Sequence, residues 1–202
     1  MLVTNLFVKR VHGENLEPVA SFDFDENGIA NGVPCSPLRQ VLITSQSVTT
    51  RCGLNAGDLR DNIVVDADEL YELPSGTVVA IGSARIRLTF HCEPCKVLRK
   101  VIEPCRMVHK RGVLGCFLNS GTVSIADRFS VTEQKCEAIP YKATDRIRWL
   151  LSNGDVSLAG ADLVYALGLP SSYARAMPHI VQKLSSAGTA RKTVSRFRRE
   201  RM

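Results

Sequence analysis

The stretch Ala84–Cys95, "ARIRLTFHCEPC", decides the fold of the first part of the chain. Successive side chains of a strand point to opposite faces, so its alternation of apolar and polar residues predicts a strand with one buried face. The apolar face holds Ile86, Leu88, Phe90 and Cys92, and the polar face holds Arg85, Arg87, Thr89 and His91. Pro94 cannot continue a central strand but suits a first helical position, so we expect a short helix from Pro94 to about Glu103.

Further strands are predicted on both sides of this stretch. They are short, rich in Val and Ile, and separated by turn-forming Gly, Pro, Asn and Asp. The segments are "LVTNLFVKRV", "RQVLIT", "NIVVDA", "TVVAIG", "VLGCFL" and "GTVSI". Several close strands of this kind predict a mainly β fold, either a barrel or a sandwich.

The pattern changes after about Ala138. "TDRIRWLLSN", "SLAGADLVYALG" and "SSYARAMPHIVQKL" carry apolar residues at helical spacing, with Gly168 at a C-cap position. The last two have the length of a helix-turn-helix, provided that the second helix kinks at Pro178 or starts late. We therefore predict a β domain over 1–137, a helical domain over 138–190 and a disordered basic tail over 191–202.

The net charge of +6 is unevenly distributed along the 202 residues. The tail "RKTVSRFRRERM" holds six Arg or Lys and one Glu, which leaves 20 basic and 19 acidic residues before it. The high isoelectric point therefore belongs to the tail and not to the body of the chain.

Composition also bears on location. No apolar run approaches the roughly 20 residues that span a bilayer, and the start lacks the basic-then-apolar order of a signal peptide. Seven cysteines, an odd number, favour reduced thiols over a disulfide framework. We expect a cytoplasmic protein with no membrane partner.

Three interpretations of Cys92 and Cys95 stay open on residue chemistry. A Cys95 in the first turn of a helix, with Lys96 beside it, favours a reactive thiolate, and Cys92 could then resolve it. Alternatively, both cysteines are small packing residues. The third interpretation is a zinc site, in which Cys105 and His109 complete a four-ligand set.

Two longer stretches resemble a known family. "GLNAGDLRDNIVVDADELYELPSGTVVAIGSARIRLTFHCEPCKVLRKV" and "RGVLGCFLNSGTVSIADRFSV" are similar to the MOSC domain of molybdenum cofactor sulfurases and of small stand-alone bacterial proteins. The resemblance covers roughly residues 1–132. It implies a MOSC-like β-barrel and binding of the molybdenum cofactor, molybdopterin.

The resemblance also implies roles for single residues. The cysteine matching Cys95 is the family's proposed site for carrying sulfur or contacting the cofactor. Arg60 and Asn62 match polar positions of the motif and could shape an anion pocket, although turn chemistry would also explain them. Lys96 and Arg111 are further candidates for cofactor binding.

The chain departs from the family in two respects. Many members carry a His-Gly-Gly-like stretch where this chain has "NGVPCSPLRQVLIT", so Cys35 is either a soft substitute ligand or a packing residue. The aminotransferase-like part of the large sulfurases is absent. A sulfur-transfer activity would therefore need a partner, which we expect to be a cysteine desulfurase or a molybdoenzyme.

The helical part is similar to the winged-helix half of the alkylguanine-DNA alkyltransferases, through its "IPY" opening and "ARA" helix. No cysteine follows Cys136, so alkyl transfer is excluded. Tyr173 and Arg175 could instead dock on nucleic acid, with phosphate contacts from the tail. The rival hypothesis is therefore a non-catalytic DNA-binding or ligand-sensing protein, unless these helices only bury Trp149, Leu163 and Leu167.

Overall fold

The computed structural model describes residues 1–153 and 160–186. The chain divides into two compact units, Met1–Ala138 and Ile139–Met202. The first is built from strands and the second from helices. Within the described ranges, every helix is too short or too polar to cross a membrane.

An eight-stranded sheet dominates the first unit. Its strand order is β11-β7-β8-β9-β5-β6-β1-β2, in which β5 and β6 run parallel and the other neighbours antiparallel. The strands are β1 (Val3–Val8), β2 (Glu17–Val19), β5 (Val41–Ser45), β6 (Ile63–Val65), β7 (Thr77–Ile81), β8 (Ala84–His91), β9 (Val113–Phe117) and β11 (Phe129–Lys135). All seven predicted strand segments are present, counting β10 below.

A small antiparallel sheet accompanies the large one. It has the order β10-β3-β4, with β3 at Ser21–Asp25, β4 at Gly28–Ile29 and β10 at Gly121–Ser124. The sequence "SFDFD" of β3 buries Phe22 and Phe24 and exposes the residues between them. Phe24 stacks on Phe117 of the large sheet at 4.3 Å between ring centroids.

The mainly β fold is confirmed, but the expected closed barrel is not. The starts of β1 and β11 meet at Leu2 and Arg128, which form an isolated bridge. Hydrogen bonds from Val3 N to Asp127 O (2.9 Å) and from Phe129 N to Met1 O (2.9 Å) flank it. Because the edge strands β11 and β2 do not pair with each other, no continuous ladder of hydrogen bonds closes the sheet.

The stretch that predicted the fold behaves largely as expected. In β8 the apolar face is buried, with Ile86 and Leu88 at 0% exposure. Thr89, predicted on the polar face, is also buried, and its hydroxyl donates to Leu38 O at 2.9 Å. The segment before β5 therefore covers this part of the outer face.

The short helix predicted from Pro94 is a pair of 3-10 helices instead, at Lys96–Lys100 and Pro104–Met107. They are held by a small apolar cluster that contains Leu59, Leu98, Ile102 and Met107. Cys95 precedes the first of them in extended conformation, with φ −131° and ψ 168°.

The second unit contains α2 (Ala143–Asn153), α3 (Gly160–Ala166), a 3-10 turn at Ser171–Tyr173 and α4 (Met177–Ser186); α1 (Gln46–Arg51) belongs to the first unit. Gly168 ends α3 with φ 61°, as its predicted C-cap role requires. The last helix starts late, which places Pro178 in its first turn. Leu163 and Leu167 are buried, whereas Trp149 is only half-buried.

Candidate functional site

A cavity of about 580 Å³ lies in the first unit. Its walls come from the end of β1, the loop from β3 to β5, the segment before β6, and the residues that flank the 3-10 helices. The polar and sulfur-bearing lining residues are Lys9, His12, Asp25, Asn27, Cys35, Arg39, Gln40, Arg60, Asn62, Cys92 and Arg111. Tertiary folding thus brings together four of the six predicted site residues.

The cavity is cationic. Among its described lining residues, four are Arg or Lys and Asp25 is the one carboxylate. Apolar side chains such as Val8, Leu42 and Leu114 form the rest of the wall. The combination suits a planar or organic anion, since such ligands bury apolar surface and need a few placed polar groups.

Arg111 links this cavity to Cys95. Its Nη1 donates to Cys95 Sγ at 3.2 Å and to Glu93 O at 2.6 Å. Arg111 is only 8% exposed, and its Nε has no hydrogen-bond partner among the residues that the structure describes. A guanidinium in this state has donor capacity left for a ligand.

Gly112 explains why the chain can hold Arg111 here. It adopts φ 133°, and a Cβ at this position would lie 2.8 Å from Ile43 O. Gly112 O accepts a hydrogen bond from Cys92 N at 2.9 Å. A side chain at residue 112 would therefore push the segment that carries Arg111 away from β5 and away from Cys92.

Cys95 and Lys96 lie apart from the cavity walls. Cys95 is half-buried and Lys96 is exposed, and neither is among the residues that line the cavity. The helix after Cys95 has only five residues. No α-helix begins at Cys95, so the expected helix dipole is absent there, and the Cys95 sulfur instead accepts a hydrogen bond from Arg111.

Cys92 is buried and faces the cavity. Arg39 Nη2 lies 3.7 Å from its Sγ. Burial raises the pKa of Cys92, and the positive charges of Arg111 and Arg39 partly counter this rise.

Arg60 and Asn62 both line the cavity, but they contribute differently. Arg60 adopts φ 63°, an uncommon conformation for a residue with a side chain, and its Nη1 donates to Glu14 O at 3.1 Å. Asn62 accepts from Leu42 N at 3.0 Å and donates to Phe7 O at 3.3 Å. The amide of Asn62 thus ties three strands together and serves chiefly to position the wall.

The sequence patterns missed several cavity residues, above all Arg39, Lys9 and His12. Arg39 precedes β5, where nothing in the local pattern marks it. Burial raises the pKa of Cys35, and Arg39 and then Lys9 lower it. Cys35 lines the cavity with part of its surface exposed, and both interpretations of this residue stay predictions.

The zinc interpretation is wrong for the described part of the chain, where no group of three or more His, Cys, Asp or Glu side chains could hold a metal ion. Cys105 is exposed. His91 points to the other face of β8, where it stacks on Tyr71 at 6.3 Å and meets His109 edge-on at 5.2 Å between ring centroids. The pKa of His91 is lowered by burial and by His109.

The nucleic-acid hypothesis stays a prediction. Tyr173 is half-buried against the apolar core of the helices, and Arg175 is exposed just before α4. The basic tail at 191–202 lies outside the described residues. The predicted phosphate contacts from the tail are therefore untested.

Solved structures share this fold. The YuaD protein from Bacillus subtilis is similar with a TM-score of 0.56 at 17% identity, over 67% of this chain and 96% of that one. YiiM from Escherichia coli is similar with a TM-score of 0.55 at 16% identity, over 91% and 94% of the two chains. No curated protein sequence matches.

A family model also matches the sequence. It describes the MOSC domain and matches residues 33–133, half of the 202-residue chain. The matched range contains Cys35, Arg39, Arg60, Cys95 and Arg111, and so includes much of the cavity wall and the cysteine beside it. The chain belongs to the MOSC domain family.

Proposed function

We propose that the chain binds the molybdenum cofactor in the cationic cavity, with Cys95 as the sulfur group beside it. One observation carries the proposal: Arg111 lines the cavity and donates to Cys95 Sγ at 3.2 Å. A ligand held by this arginine would lie next to a thiol. Membership of the MOSC domain family supports the choice of cofactor.

The residues present fit such a group. Pterin cofactors combine a flat heterocycle, soft sulfur atoms and a phosphate, and a volume of about 580 Å³ lies in the usual range for organic ligands. Arg111 places a mostly buried guanidinium at the cavity wall, where an anion would compensate its charge. Cys92 adds a buried sulfur atom to the wall of the cavity.

Several residues of the cavity would then contribute to binding the cofactor. Arg39, Arg60 and Lys9 would compensate the charge of the phosphate, as guanidinium groups do with two parallel hydrogen bonds. Gln40 is held in place, because its Nε2 donates to Glu26 O and its Oε1 accepts from Phe117 N at 2.7 Å. When bound, the cofactor supplies a redox-active metal centre.

Metal and pterin content tests this proposal. The full chain is purified from a host that makes molybdenum cofactor, and molybdenum and pterin are measured per chain. We expect both in the wild type and less of both in Cys95→Ala and Arg111→Met. Cys116→Ala is the matched control, because Cys116 is also half-buried near an arginine, Arg87, but does not line the cavity.

Two results would contradict the proposal. One is a wild type that contains neither molybdenum nor pterin after purification from that host. The other is a content that is equal in all four proteins, because cofactor binding would then be independent of both the thiol and the arginine.

A sulfur-carrying role for Cys95 is a second candidate function. It is favoured by the half-buried position of Cys95 at the edge of the site, where its sulfur can meet a donor and Arg111 can compensate negative charge on it. A persulfide transferred from a partner such as a cysteine desulfurase would leave its sulfane sulfur on Cys95. Mass analysis of the Cys95 peptide after reaction with a persulfide donor tests this role.

A further inference from the structure

The site combines two features that few ligands satisfy together. Its wall carries Lys9, Arg39, Arg60 and Arg111 against the single described carboxylate of Asp25. Thiols lie among these cations, with Cys92 at 3.7 Å from Arg39 and Cys95 at 3.2 Å from Arg111. A matching ligand is an anion that carries an electrophilic sulfur atom.

Arg111 gives this match a physical basis. Nine-tenths of its surface is buried, yet Nε lacks a partner within the described residues. A buried positive charge is unfavourable unless it is compensated, and an anion bound in the cavity that Arg111 lines would compensate it. The same guanidinium already contacts the thiol of Cys95 through Nη1.

We propose that the site accepts sulfur directly from small anionic sulfane donors of the thiosulfate class, so that the chain acts as a thiosulfate:thiol sulfurtransferase. This inference rests on the sulfur-carrying role of Cys95 proposed above and names its donor. A partner protein is then not required for loading.

The transfer step balances without an external oxidant or reductant. The Cys95 thiolate attacks the outer sulfur of thiosulfate and forms a new sulfur–sulfur bond. The original sulfur–sulfur bond of thiosulfate breaks, and its electron pair leaves with sulfite. Cys95 is left as a persulfide, and the proton of the original thiol ends on the persulfide or on solvent.

The cations of the cavity suit both sides of this step. Thiosulfate and sulfite are dianions, so Arg39, Arg60 and Arg111 can hold the donor and then stabilise the charge that develops on the leaving group. A persulfide on a protein partner carries at most one negative charge, whereas thiosulfate carries two. The lining therefore favours a free anion over a protein-bound donor.

The test uses the reduced, full-length protein with thiosulfate. Released sulfite is measured against time, and peptide mass spectrometry locates any gain of one sulfur atom. We expect about one sulfite per chain with the added sulfur on Cys95, and continued turnover when a small thiol acceptor is present. Sulfate, an unreactive dianion, should compete with thiosulfate.

Variants of Cys95 and Arg111 separate the contribution of the thiol from that of the guanidinium. Cys95→Ala and Cys95→Ser should release no sulfite, and circular dichroism checks that at least one of them is folded. Arg111→Met should slow release about tenfold or more, the factor that loss of one charge-assisted hydrogen bond implies. Cys116→Ala should behave as the wild type does.

The outcomes distinguish the donor from the carrier. If cysteine persulfide loads Cys95 but thiosulfate releases no sulfite, the donor class is wrong and the carrier role stands. If neither donor loads Cys95, both proposals fail. Sulfur found on Cys92 or Cys35 instead, or release that survives both Cys95 variants, overturns the assignment of the acceptor.

Discussion

Two buried arginines, one in each unit, show how the same side chain can serve structure or binding. Arg146 of the helical unit is 1% exposed, and its Nε, Nη1 and Nη2 donate to Pro140 O, Leu167 O and Tyr141 O at 3.1, 2.9 and 2.7 Å. Arg111 of the sheet unit is 8% exposed, and its Nε has no partner in the described structure.

The difference lies in how far the protein itself satisfies each guanidinium. Arg146 uses all three nitrogens on the chain's own carbonyls, so it stabilises the ends of helices and has little capacity for a ligand. Arg111 uses one nitrogen, Nη1, to donate to a carbonyl and to a thiol. It also lines the cavity. Arg111 thus combines an unsatisfied nitrogen with a position in the cavity wall, whereas Arg146 is used by the fold.

The largest effect is expected at Arg146. Arg146→Met should lower the free energy of unfolding of the helical unit by about 3 kcal/mol or more, because three carbonyls lose a buried donor. Urea denaturation and amide exchange of α2 measure this. The control is Arg148→Met, because Arg148 is exposed and its ion pair with Asp145 should contribute less than about 1 kcal/mol. If Arg146→Met lowered the free energy of unfolding no more than Arg148→Met did, the structural role of Arg146 would be contradicted.

Compared with Arg146→Met, the variant Arg111→Met should lower stability less and weaken anion binding more. Its stability loss should be about 1 kcal/mol, well below that of Arg146→Met, because the methionine also removes a buried unsatisfied nitrogen. Binding of sulfite, measured by titration calorimetry, should weaken about tenfold or more, whereas Arg146→Met should retain it if the sheet unit stays folded. Equal losses of stability at the two arginines would break the comparison.

Arg60 provides a third, intermediate case. Its left-handed backbone, φ 63°, favours glycine, so Arg60→Gly should raise the free energy of unfolding by up to about 1 kcal/mol while it weakens anion binding. Arg60→Ala should weaken binding similarly without the gain in stability. Paired denaturation curves of the two variants make the comparison, and a loss of stability in the glycine variant would contradict it.

The smallest effect is expected in the titration of Cys92. Burial raises the pKa of this thiol, and Arg111 and Arg39 counteract the rise. Because the folded state then holds the proton more tightly than the unfolded state, the contribution of Cys92 to stability is present below the unfolded thiol pKa and is lost as the pH rises through the folded pKa.

The pH dependence of Cys92 alkylation, followed by peptide mass spectrometry, measures this pKa. Removing the positive charge in Arg111→Met should move the alkylation profile to higher pH. Arg146→Met should leave the profile where it is. A profile that does not respond to Arg111→Met would show that the guanidinium has no influence on the thiol.

The strands were predictable to the extent that their side chains alternate or form apolar runs. β8, β5 and β7 carry this signal and were found. β2 contains Pro18, and β11 is a largely exposed, polar edge strand, so neither has the apolar content that marks a buried strand. β3 was missed although Phe22 and Phe24 alternate with acidic residues, a signal that was present in "SFDFD".

The candidacy of Arg60 and Arg111 came from the resemblance to the MOSC domain. The sequence by itself determined the mainly β character of the first 138 residues, the helical character of the segment after them, and the candidacy of Cys92 and Cys95. Local periodicity and residue chemistry are sufficient for such statements. Only the tertiary structure decided that Arg111 contacts Cys95 and that Arg39 contacts Cys92 across 53 positions. It also decided that the sheet does not close and that a 3-10 helix comes after Cys95. These facts depend on strand register and on which side chains meet across the sheet, and long-range contacts of this kind leave no periodic trace in a single sequence.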